Sequence, residues 1–89
     1  MRTINFEYYK TDDGYVAICI PIDKTFTIDI YSEESLAQQC ENFIINFAED
    51  QLVNSAFTDT PDTILDDICS DVLQGEFRIF MRLKQPSDE

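Results

Sequence analysis

Residues 3–9 read Thr-Ile-Asn-Phe-Glu-Tyr-Tyr and residues 25–31 read Thr-Phe-Thr-Ile-Asp-Ile-Tyr. In the first, Ile4, Phe6 and Tyr8 alternate with Thr3, Asn5 and Glu7. In the second, Phe26, Ile28 and Ile30 alternate with Thr25, Thr27 and Asp29. Period two is the mark of a strand with one face buried. Between them, residues 15–22 (Tyr-Val-Ala-Ile-Cys-Ile-Pro-Ile) predict another strand. Val16, Ile18, Ile20 and Ile22 lie on one of its faces and the smaller Ala17 and Cys19 on the other. Pro21 cannot donate to a ladder, so it marks a strand end or an edge. Thr11-Asp12-Asp13-Gly14 reads as a hairpin turn in which glycine takes positive φ, and Asp23-Lys24 as a tight connection. Three strands with short loops predict an antiparallel meander.

The period then changes. Ser32 is placed to cap a helix, with Glu33 and Glu34 in the first turn, where the dipole favours anions. Leu36, Cys40, Phe43, Ile44 and Phe47 form one apolar stripe of an amphipathic helix running to about Asn54. Residues 55–60 read as a linker. Thr60-Pro61 reads as a second helix start, Ile64, Leu65, Ile68 and Val72 as its apolar stripe, and Gly75 as its C-terminal cap. Residues 76–84 predict a last strand, with Phe77, Ile79, Met81 and Leu83 alternating with Arg78, Phe80, Arg82 and Lys84. The expectation is one domain over residues 1–89 with a frayed tail at 85–89. Its class is α+β, in the order β-β-β-α-α-β, with an antiparallel-rich sheet and the helices packed on one face.

The chain has 89 residues, 18 acids, 6 bases, no histidine and a formal charge of −12. From Thr25 to Phe77 there is no Lys or Arg, and that segment holds 12 of the acids. The ends are neutral together, and the last strand is locally basic. Such a balance opposes direct binding to nucleic acid or an anionic membrane. Two readings of the acidic segment stay open: a solvated surface, or a face that steers a basic partner. The candidate residues for the second are Glu33, Glu34, Glu41, Glu49, Asp62, Asp66, Asp67 and Asp71.

Missing residue types narrow the chemistry further. Without histidine there is no imidazole base and no His-containing zinc site. The 3 cysteines form no C-x-x-C pair, and Cys19, Cys40 and Cys69 each have apolar neighbours, as buried free thiols do. Two glycines leave no loop to cradle phosphate. Asp62 and Asp66, or Asp67 and Asp71, share a helix flank, and a solvated face is the simpler reading of both pairs. The expectation is a cofactor-free protein that is not an enzyme. The N-terminus lacks signal-peptide features and no apolar run approaches the ~20 residues of a span, so the location expected is cytoplasmic. Tyr9, Tyr15 and Phe80 are assigned to the sheet face opposite the core, a candidate homodimer contact.

Asp12-Asp13-Gly14-Tyr15-Val16-Ala17 resembles the turn and second strand of the N-terminal domain of HicB-like antitoxins. Ile20-Pro21-Ile22-Asp23 and the strand ending at Tyr31 follow in the same order. Ser32-Glu33-Glu34-Ser35-Leu36 is similar to the family's helix start. Thr60-Pro61-Asp62-Thr63-Ile64 and Gly75-Glu76-Phe77-Arg78-Ile79 are similar to its proline-led segment and closing strand. The resemblance implies a truncated ribonuclease-H-like βββαβ sheet without catalytic residues. It also implies a partner: a small basic RNA-cleaving toxin that the domain blocks. Phe26-Thr27 stand where the family has a Gly-Cys pair, and the expectation is the family's N-terminal module lacking its DNA-binding domain.

The function expected is therefore inhibition of a basic nucleic-acid-processing protein, a toxin ribonuclease, by covering its nucleic-acid surface. The alternatives are a phage or mobile-element anti-defence protein, whose carboxylates stand in for phosphates in the channel of a CRISPR effector, and a non-catalytic oligomerisation module.

Overall fold

A computed structural model describes residues 1–55 and 63–84. The expected cap at Thr60-Pro61, candidate Asp62 and the tail 85–89 lie outside these residues. The chain is α+β. Strands β1 (Arg2–Thr11), β2 (Gly14–Cys19) and β3 (Lys24–Ile28) are followed by helices α1 (Leu36–Ser55) and α2 (Thr63–Leu73), then strand β4 (Phe77–Leu83). The sheet order is β3-β2-β1-β4. β1 and β2 pair antiparallel, as do β2 and β3, whereas β4 runs parallel to β1. A parallel return needs a crossover, and the two helices supply it.

The alternating face of β1 sets the core. Ile4 and Phe6 are buried under Cys40, Ile44 and Ala48 of α1 and Ile68, Cys69 and Val72 of α2. Phe26 stacks on Phe43 with ring centroids 4.4 Å apart, and Phe6 meets Phe26 edge-on at 6.3 Å. This cluster ties β1, β3 and α1 together, and each fully buried large side chain stabilises it by about 1.5–3 kcal/mol over exposure.

Several boundaries differ from the sequence reading. β2 ends at Cys19 rather than Ile22, because Ile20-Pro21-Ile22 winds into a single 3-10 turn. That turn closes on Asp23, which adopts the left-handed conformation (φ 55°) and donates its N–H to the Cys19 carbonyl at 2.9 Å. Aspartate tolerates this conformation better than most residues.

β3 ends at Ile28 rather than Tyr31. The Asp29 carboxylate accepts the N–H of Tyr31 at 3.0 Å, and that local turn removes the chain from the ladder. The side-chain amide of Gln39 then takes both backbone groups of Asp29. Its Oε1 accepts the Asp29 N–H at 2.8 Å and its Nε2 donates to the Asp29 carbonyl at 3.0 Å. Ile30 is left half exposed and Tyr31 exposed.

α1 begins at Leu36, with Ser35 as its cap in place of Ser32. The Ser35 Oγ accepts the Gln38 N–H at 3.1 Å, while the Ser32 Oγ closes only a local turn onto the Glu34 N–H. Glu33 and Glu34 therefore precede the helix.

In α2 the apolar stripe is Leu65, Ile68, Cys69 and Val72, and Ile64 points outward at 74 % exposure. Its far end follows expectation. Gly75 has φ +74°, its N–H reaches the Val72 carbonyl, and the Glu76 N–H reaches the Asp71 carbonyl. Those two bonds are a Schellman cap.

Candidate protein-interaction surfaces

The two sides of the sheet carry different chemistry. The helices on one side carry a run of acids, and Arg2, Lys10 and Lys24 share that side by register. The opposite side, open among the described residues, carries Thr25 and Thr27 of β3 and Val16 and Ile18 of β2. Across the register follow Thr3, Asn5, Glu7 and Tyr9 of β1, then Arg78, Phe80 and Arg82 of β4.

This arrangement corrects the faces assigned to β2. Phe6 pairs with Cys19 and Tyr8 with Ala17, so the small residues face the helices and Val16 and Ile18 face out. The reason is room. Phe6 and Phe26 crowd the same face from the neighbouring strands, opposite Cys19 and Ala17, and both small residues are fully buried.

The same parity moves Tyr15. Unlike Tyr9 and Phe80, and against the expectation of an outer face, it lies on the helix side, its ring 6.1 Å from Tyr8 and edge-on to it. Both tyrosines line a shallow cleft of about 410 Å³ between the end of the sheet and the start of α1, beside Ile28, Leu36 and Gln39. Tyr9 and Phe80 keep their outward places, at 37 % and 56 % exposure.

The predicted acids divide by environment. Glu33, Glu49 and Asp67 are exposed. Glu34 is exposed too, and its carboxylate accepts a hydrogen bond from the Asn42 amide. Glu41 and Asp66 are half-buried, and Asp66 borders an open cleft of about 350 Å³ between α1 and α2, beside Gln51, Leu52 and Cys69. Asp71 is held by Arg2, Nε to Oδ2 at 2.6 Å, which is the one ion pair among the described residues. At ~100° per residue, Glu41 and Glu49 stand ~80° apart around α1, and Asp66 lies on the other flank of α2 from Asp67 and Asp71. The acids thus form a broad negative layer over the helices and do not converge on a point. No three of the described Cys, Asp or Glu side chains gather as metal ligands.

Two features were missed in the sequence. One is the Gln39 clamp on Asp29, which joins residues 10 apart across the strand-to-helix turn and has no sequence motif of its own. The other is the Ser35 cap, for which Ser35-x-x-Gln38 was an available signal. The thiols of Cys19, Cys40 and Cys69 are free and buried, as their apolar neighbours suggested.

No helix among the described residues is long and apolar enough to cross a membrane. Comparison with protein-family models, with curated proteins and with solved structures found no match.

Proposed function

We propose that this protein is a non-catalytic inhibitor module of HicB-like antitoxin type, which neutralises a basic nucleic-acid-processing protein by covering its nucleic-acid-binding surface. One observation carries the reading. The helical layer and its flanking loops present carboxylates with no Lys or Arg between Thr25 and Phe77, and among the described residues only Asp71 is neutralised from within the fold. Surfaces kept only for solubility usually intersperse the two signs, because a one-signed layer repels itself. A layer left unneutralised suits a cationic surface that ordinarily holds phosphates, and long-range attraction would speed the encounter. The strand and helix order adds support, being the βββαβ order of the resemblance with one further helix.

The experiment is a low-salt pull-down with the tagged chain, the bound protein identified by mass, followed by association kinetics with that protein. A small basic ribonuclease whose RNA cleavage stops on binding is the expected result. The test variant is Glu49→Lys with Asp67→Lys, both exposed and therefore reversible in charge without disturbing the core. Association is expected to slow about ten-fold or more, with a flatter salt dependence. Recovery of a large nucleic-acid-guided complex would move the protein to the anti-defence class. Unchanged kinetics at low salt would remove the acidic layer from the mechanism.

A further inference from the structure

The open edge of β4 is a second, oppositely charged surface. β4 is the last strand of the sheet, and its neighbour β1 lies on one side only. Glu76 accepts the Arg2 N–H and Lys84 donates to the Tyr8 carbonyl, so the even-numbered residues of this strand address β1. By the alternation of a strand, the N–H and C=O groups of Phe77, Ile79, Met81 and Leu83 point away from the sheet, where no described residue pairs with them. The free edge of this seven-residue strand is a template for another strand.

The outward side chains say which strand fits. Arg78, Phe80 and Arg82 are exposed in a row on the helix-free face. Arg78 donates to the Thr3 hydroxyl at 2.9 Å, Glu7 is the neighbour of Arg82 in the register, and among the described residues neither arginine forms an ion pair. The stretch Phe-Arg-Ile-Phe-Met-Arg-Leu is almost the same read in either direction about Phe80. A second copy pairing antiparallel about Phe80 would set Arg78 against Arg82 twice, and like charges directly opposite are destabilising. A strand with acidic residues at those two positions turns both contacts favourable.

We propose that the β4 edge takes an extended, locally acidic segment of a partner protein as a fifth strand. The segment has the pattern acid-x-apolar-x-acid, its carboxylates lie opposite Arg78 and Arg82, and its apolar side chain lies against Phe80. Backbone hydrogen bonds from the odd-numbered residues supply the attachment, and the three outward side chains supply the selection. This surface lies away from the acidic helical layer, so the proposal holds or fails independently of the inhibitor reading.

The test uses the whole chain and two synthetic peptides, Thr-Glu-Thr-Val-Thr-Glu-Thr and the same sequence with lysine for glutamate. Amide hydrogen exchange and NMR shifts are read at Ile79 and Met81. The glutamate peptide is expected to protect those amides and to bind about ten-fold tighter than the lysine peptide, an advantage that shrinks with salt. Arg78→Glu with Arg82→Glu is expected to reverse the preference. Leu83→Pro, which removes one outward N–H and none addressed to β1, is expected to weaken the glutamate peptide while the fold persists. The proposal is overturned if the two peptides bind alike, or if neither protects the edge. It is equally overturned if a single-stranded RNA oligonucleotide binds Phe80 and the arginines where the peptide does not. Protection that rises with protein concentration alone would assign the edge to a second copy instead.

Discussion

Cys19 shows how neighbours decide a side chain's chemistry. Its thiol is fully buried, and desolvation pushes its pKa from the ordinary 9.0 up to about 12. A backbone hydrogen bond at Ile22 pulls the other way and nearby Cys40 adds to the rise. Burial alone takes Cys40 to about 11. Burial also raises Cys69, with the charge of Asp66 adding to it. A protonated thiol is a poor nucleophile, so all three should react slowly with thiol reagents in the folded protein at neutral pH and at once in denaturant. The linkage has a definite sign. Below pH 9 both states hold the proton, and the buried thiols contribute their full stabilising share. As pH rises from 9 towards 12, the unfolded chain ionises first, and that share is lost. Near about pH 10.5 the loss should be about 2 kcal/mol each for Cys19 and Cys40. Denaturant titrations at about pH 8 and about pH 10.5 measure it. The double variant Cys19→Ala with Cys40→Ala should show the smaller decline, and an equal decline would mean that other groups cause it. That these residues are interior was legible from their neighbours. That Ala17 and Cys19, and not Val16 and Ile18, face the helices was not. Alternation fixes two faces but not which one is covered, and the deciding quantity is the volume that Phe6 and Phe26 occupy beside them in the register.

At the scale of elements, strand and helix existence was readable and their ends were not. Ends are set by hydrogen bonds to side chains, and several neighbouring residues often qualify. Ser32 and Ser35 are both competent caps, and three residues separate two helix starts. Gln39 decides the matter by gripping Asp29, which stops β3 at Ile28 and leaves Ser32 in a turn. The caps can be weighed by thermal or chemical denaturation. Ser35→Ala should destabilise the protein by about 1 kcal/mol, whereas Ser32→Ala should cost no more than a few tenths. Gly75→Ala belongs to the same series. Nothing stands within 4 Å of a Cβ placed there, so its cost is the left-handed backbone alone, about 1 kcal/mol. Should Ser32→Ala prove the more damaging of the two serine changes, α1 begins a turn earlier in solution.

For the molecule as a whole, the acids concentrate on the helical layer. The helices and the loop before them carry acids, β4 carries Arg78 and Arg82, and Arg2 with Asp71 is the one ion pair among the described residues. The concentration itself was legible as a gap in the distribution of Lys and Arg. Its placement across the sheet from Arg78 and Arg82 needed the topology, because β4 follows both helices in sequence yet lies beside β1. A chain of formal charge −12 with its acids on one layer should be destabilised by its own repulsion. Added salt should therefore stabilise it. Surface charges more than about 8 Å apart are largely screened at physiological ionic strength, and one ion pair offers little attraction for salt to weaken. The midpoint of thermal unfolding should rise by about 5 °C between low salt and physiological salt, equivalent to about 1 kcal/mol for a domain of this size. Sodium chloride and potassium chloride should act alike, since screening depends on ionic strength and not on a bound cation. Glu49→Gln with Asp67→Asn should capture part of the rise at low salt and reduce what salt adds. A midpoint that falls with salt, or that responds to one cation and not the other, would mean that specific ion binding and not repulsion governs this layer. The same titration bears on the inhibitor reading, because a layer that repels itself in the free protein gains stability when a cationic surface closes over it.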